Sequence, residues 1–202
     1  MQTALFVMLD QYADWEPAYL AGQLNQRQDW HIITASDQPT VHSIGGFTTT
    51  VDVQLTALPS VVDLVVLIGG QSWQRDLPTL TAYLKTRLTQ GTIVGAICGA
   101  VDYLATRSLL TGYRHTGNAQ ILWQNAAAYR NPKDFEATQV VADRNLVTAN
   151  GTAAIDFAKA VLKQLDLFTD QDQQTLNLQQ LGYTNYCQQY GDPFKTMATK
   201  KA

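Results

Sequence analysis

Thr92-Ile93-Val94-Gly95-Ala96-Ile97-Cys98-Gly99-Ala100-Val101-Asp102-Tyr103-Leu104-Ala105 is the stretch whose reading decides the fold. Its first half is β-branched and apolar, as in a buried strand. Its second half sets Val101, Leu104 and Ala105 on one helical face. Cys98 stands at the junction, with Ala96 two residues before it, Ala100 two after and Gly99 next. A strand that turns sharply into a helix around one strained residue needs small neighbours. Nucleophile elbows meet that need with small-x-nucleophile-x-small. The expectation is an elbow that sets Cys98 at a helix N-terminus, where dipole and free N–H groups favour a thiolate. A lone cysteine after an apolar run is also a common small core residue, so the flanking chain has to decide.

Upstream, Ala4–Leu9 is a short apolar run of the kind found in buried parallel strands. Asp14 follows as an expected N-cap, with Pro17 in the first turn of a helix reaching about Arg27. Trp15, Tyr19, Leu20 and Leu24 form its apolar side. Glu16 then falls just past the C-terminal end of the first strand, the edge at which open α/β sheets bind ligands. A carboxylate there also suits the helix dipole. His31–Ala35 reads as a second strand and Val41–Val53 as an antiparallel hairpin. Asp63–Ile68 reads as a third buried strand, ending in Gly69-Gly70, whose glycines permit close ligand approach. Asp76 is the expected cap of a helix carrying Leu77, Leu80, Leu84 and Leu88, ended by Gly91.

Downstream, residues 109–118 read as a loop, with Asn118 as the cap of a helix to about Ala128. Gln139–Ala142 and Asn145–Ala149 form a hairpin, and a last core helix carries Ile155, Ala158, Leu162 and Leu165. The glutamine-rich residues 169–191 are expected to be helical. Residues 195–202 are expected to fray. Residues 1–202 thus read as one domain with a helical C-terminal extension over 169–202. Alternating strands and helices call for a mainly parallel sheet covered on both faces. Glu16, Gly69-Gly70 and Cys98 then share one rim.

Composition narrows the function. A 46% apolar, 15% charged chain with net charge −3 lacks the basic footprint of a nucleic-acid binder and any polybasic membrane patch. The N-terminus has no basic leader, its apolar run stops at Asp10, and no run approaches membrane-spanning length. The two cysteines, Cys98 and Cys187, are expected to be reduced in a cytoplasmic protein. The three scattered histidines, without HxxxH or CxxC, argue against a metal site. No G-x-G-x-x-G follows a strand and no lysine follows the glycine pairs, so no nucleotide cofactor is expected.

Taken together, Ala96-Ile97-Cys98-Gly99-Ala100, Ile68-Gly69-Gly70, Asp14-Trp15-Glu16 and Arg114-His115-Thr116-Gly117-Asn118 resemble the ThiJ/PfpI family. This class I glutamine-amidotransferase-like superfamily includes the parkinsonism-associated deglycase and bacterial intracellular proteases. The resemblance runs over roughly residues 3–166. It implies a flavodoxin-like three-layer α/β sandwich, commonly a homodimer. It pairs Glu16 with Cys98 and makes Gly70 and Gly99 backbone oxyanion donors. The chain also departs from the family. Gly99 stands where protease-like members carry histidine, and Ala149-Asn150-Gly151 lacks the His-x-Glu of glutamine amidotransferases. Asn118 falls where glyoxalase-like members carry histidine.

A thiol of pKa about 8.5 is mostly protonated at neutral pH. A protonated Glu16, raised by burial, would donate to the sulfur and favour its ionised form. His115 is the candidate general acid–base, against the alternative of a backbone-bonded loop histidine. Asn118 could line the pocket, and Trp73 could wall the cleft. His31 and His42 read as structural, and Cys187 receives no role. The expected function is a cysteine-dependent hydrolase, amidase or glyoxalase-like enzyme acting on small carbonyl or amide substrates. The alternative is a redox sensor or stress protein in which Cys98 is oxidised.

Overall fold

Four apolar segments form the centre of the sheet: β1 (Gln2–Val7), β6 (Leu64–Leu67), β7 (Ile93–Ile97) and β9 (Leu146–Ala149). β6 and β9 are buried at every residue, as both faces of a parallel sheet must be. The computed structural model describes residues 1–195, so the expected fraying of the last residues lies outside the described part. The main sheet has seven strands in the order β5-β2-β1-β6-β7-β9-β8, with β2 at Trp30–Ser36, β5 at Val53–Gln54 and β8 at Val140–Asp143. All neighbours are parallel except β8 and β9. In register, Val7 faces Leu67, Leu67 faces Ala96 and Ile97 faces Ala149. The strands therefore end together, and the loops after β1, β6, β7 and β9 meet at one rim.

Side chains alternate along each strand and build two cores. Leu5 and Val7 pack with Leu80 and Leu84 of α2 (Pro78–Thr89) and Leu104 of α3 (Gly99–Thr106). Ala4 and Phe6 pack with Leu20 and Leu24 of α1 (Trp15–Asn25) and Phe157 and Val161 of α4 (Ala154–Gln164). These layers make the flavodoxin-like three-layer sandwich. Gly95 lets α4 sit close, since a Cβ there would lie 2.8 Å from Phe157 Cζ.

Several local expectations are corrected. The hairpin is shorter than expected: β3 (Thr40–His42) pairs with β4 (Thr48–Thr50) as a separate ribbon, and β5 leaves it to join the edge of the main sheet. Asp14 does not cap α1: its backbone is already helical and its carboxylate accepts from Gly45 N at 2.8 Å. Asp76 does not cap α2 either but pairs with Arg107 at 3.5 Å. Trp15 is 51% exposed rather than part of the apolar side. In place of a helix after Asn118 there is a 3₁₀ turn, Gln120–Trp123, capped by no side chain. Trp123 is drawn into the core against Gly117 and Val101 instead.

The C-terminal segment forms α5 (Asp170–Leu181) and α6 (Tyr183–Tyr190). Thr169 and Asp172 form a capping box at the start of α5. Arg27, just past α1, donates to both Asp172 oxygens at 2.9 and 2.8 Å and to Leu167 O at 3.1 Å. Removing this carboxylate takes away the cap and leaves a part-buried guanidinium unpaired. Asp172→Ala is expected to lower stability by about 2 kcal/mol in urea unfolding, and a change within error would mean that α5 is not held from this point.

Candidate active site at the elbow

Cys98 sits between β7 and α3 at φ 59°, ψ −131°. A non-glycine residue at positive φ is strained, and such strain survives only where surroundings impose it. Here Cys98 N donates to Ala149 O at 3.0 Å and Cys98 O accepts from Val101 N at 2.9 Å. Neighbouring glycines leave space for nothing larger. A Cβ on Gly69 would lie 2.5 Å from Cys98 Cβ, and one on Gly151 would lie 2.8 Å from Cys98 Sγ. A Cβ on Gly99 would meet Gly70 O at 2.8 Å, and Gly70 itself lies at φ +151° against Gln11 and Tyr12.

Glu16 reaches this point from the first turn of α1 and is 1% exposed. Its Oε2 accepts from Gly69 N at 2.7 Å. Its Oε1 is buried with no hydrogen-bond partner among the described residues. Burial pushes the Glu16 pKa up to about 7, against the Gly69 and Cys98 interactions that favour its charged form. Burial also pushes the Cys98 thiol up, and the Glu16 charge adds to this, while Asn118 and the Gly99 N–H oppose it. Enclosure and the neighbouring acid thus work against the lowering expected from the helix N-terminus. The two groups behave as a pair that shares protons.

Asn118 comes to the sulfur from the loop after α3. Its Nδ2 donates to Cys98 Sγ at 3.3 Å, and its Oδ1 accepts from Gly151 N at 2.9 Å. The side chain is thus fixed at both ends and does not serve as a helix cap. Trp73 is 3% exposed, donates through Nε1 to Ile68 O at 2.8 Å and lies 5.2 Å from the Tyr103 ring. Its Cδ1 borders the space next to Gly99, and it lines a cleft with Gly99, Asp102 and Trp123.

His115 is not brought to the sulfur. It is fully buried among Trp123, Tyr129 and Phe135. Its Nδ1 is bonded to Tyr113 O and its Nε2 to Tyr129 Oη, both at 2.8 Å. Burial holds its pKa below the usual histidine value. Sequence reading passed over Gly151 and Asp102. The Asn150-Gly151 pair directly after β9 was the available signal for the first, because it falls on the same rim.

A cysteine on a strand-to-helix turn, faced by a carboxyl group from the first crossover of a parallel sheet, defines a class of elbow-site α/β proteins. The profile of the DJ-1/PfpI family matches residues 2–164, and the chain belongs to that family. It is 45% identical over 195 residues to a Bacillus subtilis (strain 168) protein called "Uncharacterized protease YdeA", covering 96% of this chain and 99% of that one. It is similar in structure to the thiJ/pfpI family protein of Bacillus anthracis, at 32% identity and TM-score 0.83, with 92% and 94% of the two chains covered. The DJ-1 superfamily protein Atu0886 of Agrobacterium tumefaciens matches at 31% identity and TM-score 0.82, with 88% and 97% covered. Among the described residues no helix is long and apolar enough to cross a membrane, and no group of three or more His, Cys, Asp or Glu could hold a metal ion.

A carboxyl whose pKa rises from 4.5 to about 7 on folding binds its proton more tightly in the native state. Its contribution to stability is therefore complete below pH 4.5 and is lost as pH climbs towards 7. Relative to wild type, Glu16→Gln is expected to gain roughly 3 kcal/mol between about pH 5 and pH 8. Urea unfolding at several pH values measures this, and a difference that stays flat with pH would show an ordinary carboxylate.

Proposed function

We propose that the protein is a cysteine-dependent enzyme acting on small electrophilic carbonyl compounds, with Cys98 as nucleophile and Glu16 as proton carrier. The observation that carries this reading is the buried Glu16 carboxyl, one oxygen unpartnered, beside a thiol that also receives the Asn118 amide. An acid of pKa about 7 is poised to give and take protons near neutral pH.

For a 2-oxoaldehyde the steps balance as follows. The Cys98 sulfur adds to the aldehyde carbon, and the oxygen takes up a proton, giving a hemithioacetal. Ionised Glu16 removes the hydrogen from that carbon and returns it to the neighbouring carbon, while the hydroxyl proton passes to the neighbouring oxygen, leaving a 2-hydroxy thioester. Water then cleaves the thioester to the 2-hydroxy acid and frees the thiol. The Gly70 and Gly99 N–H groups are the candidate donors to the developing oxyanion, and Trp73 walls the pocket. Asn118 holds the sulfur in line.

The protease name of the Bacillus subtilis relative supports amide hydrolysis through the same thiol. The geometry favours the aldehyde, because an amide also needs a proton for its departing amine. Gly99 stands where protease-like members carry histidine, and His115 has both nitrogens engaged. A second reading, oxidation of Cys98 to a sulfinate held by Asn118 and Glu16, is favoured by the partial exposure of Cys98 and the donors around it. The homodimer implied by the family resemblance belongs to this proposal and is read by light scattering.

Wild type is expected to convert methylglyoxal to lactate, with turnover lost in Cys98→Ser and slowed roughly 10²–10⁴-fold in Glu16→Gln. Chromogenic amides are the comparison substrates. No turnover of either, with a stable gain of two oxygens on Cys98 under mild peroxide, would replace the enzyme by the sensor.

A further inference from the structure

Next to the elbow a cleft of about 370 Å³ runs along α3, between Trp73, Gly99, Asp102, Arg107, Leu122 and Trp123. Most of its polar groups are already committed. Trp73 Nε1 donates to Ile68 O and Trp123 Nε1 to Asp102 Oδ1 at 2.7 Å. Arg107 donates to the Thr106 carbonyl and hydroxyl and to Arg75 O, pairs with Asp76 and stacks on Tyr103 at 5.1 Å. Asp102 is different. Its carboxylate accepts a single hydrogen bond among the described residues, and Oδ2 is left over. The residue is half-buried and lines the cleft, and burial raises its pKa.

Asp102 lies four residues beyond Cys98, roughly 6 Å along the helix axis. Gly99, the residue next to Cys98, lines the same cleft as Asp102, which sets the carboxylate within the reach of a short tail carried by the sulfur. The indole and leucine walls suit an alkyl linker, and the carboxylate suits a positive end group. An anionic tail would meet the Asp102 carboxylate, while the cation on the cleft, Arg107, is drawn to Asp76.

We propose that this cleft holds the tail of the Cys98 substrate and that Asp102 selects small carbonyl compounds whose tail ends in an ammonium group. The proposal rests on the reading of Cys98 as an accessible nucleophile and names the substrate class for it. A hydroxyl would satisfy Oδ2 less well, because it leaves the charge uncompensated.

Three methanethiosulfonates with one reactive head test this without any assumption about turnover. The tails are 2-aminoethyl (cationic), 2-sulfonatoethyl (anionic) and methyl (neutral). In each reaction the Cys98 thiolate attacks the sulfenyl sulfur, a disulfide forms, the S–SO₂ bond breaks and methanesulfinate leaves. Rates of mass gain on Cys98 are measured for wild type and Asp102→Asn, each normalised to the neutral reagent in the same variant. Asparagine keeps an acceptor for the Trp123 indole. Wild type is expected to prefer the cation over the anion, and Asp102→Asn to reduce that preference roughly tenfold. Equal cation and anion rates in wild type, or a preference unchanged in Asp102→Asn, would overturn the proposal while Cys98 stays a nucleophile. Failure of all three reagents to modify Cys98 would overturn the nucleophile reading and this proposal with it.

Discussion

Lack of room around one β-carbon governs this structure. Cys98 occupies a backbone conformation that a side chain tolerates poorly, and the chain meets it from three directions with glycine. Gly69 comes from the loop after β6, Gly99 from the start of α3 and Gly151 from the loop after β9. Each stands where a methyl group would strike another atom within 3 Å. The in-register ends of β1, β6, β7 and β9 make such an approach possible, because they bring four loops to one height. Sheet register and site geometry are thus one constraint seen at two scales.

The same crowding sets the electrostatics. A carboxyl and a thiol enclosed together cannot both ionise cheaply. Glu16 is tied to Gly69 through one oxygen, so it cannot turn away to water. Asn118 and Gly99 supply donors to the sulfur and reduce the cost of its charge. A buried carboxyl that titrates at about 7 beside a thiol suits proton transfer more than permanent charge.

Much of this was legible in the amino-acid order. Ala96-Ile97-Cys98-Gly99-Ala100 announces a tight turn through side-chain size alone, and size is a local property. Glu16 was placed by counting from a clear strand into a clear helix. The failures share a cause. Asp14, Asp76 and Asn118 were each read as helix caps, and each spends its side chain on a distant partner instead: Gly45, Arg107 and Gly151. Capping and long-range bonding ask for the same short polar side chain, so sequence cannot separate them. For His115 the alternative of a backbone-bonded loop histidine fits its bond to Tyr113 O, while its enclosure could not be read from local sequence. Its partners Trp123, Tyr129 and Phe135 gather around it only in the folded chain.

The position of β9 bears on how the protein is made. β9 lies beside β7 in the sheet, yet it is synthesised about fifty residues later, after α3 and the long loop that carries Asn118. Chains leave the ribosome N-terminus first. Cys98 therefore emerges with Glu16 already available but before Asn118 and Gly151 have left the ribosome. A nascent chain halted there bears a bare thiol with no amide to hold it and no glycine wall to shelter it. Docking of β9 is the step that converts that thiol into a guarded group.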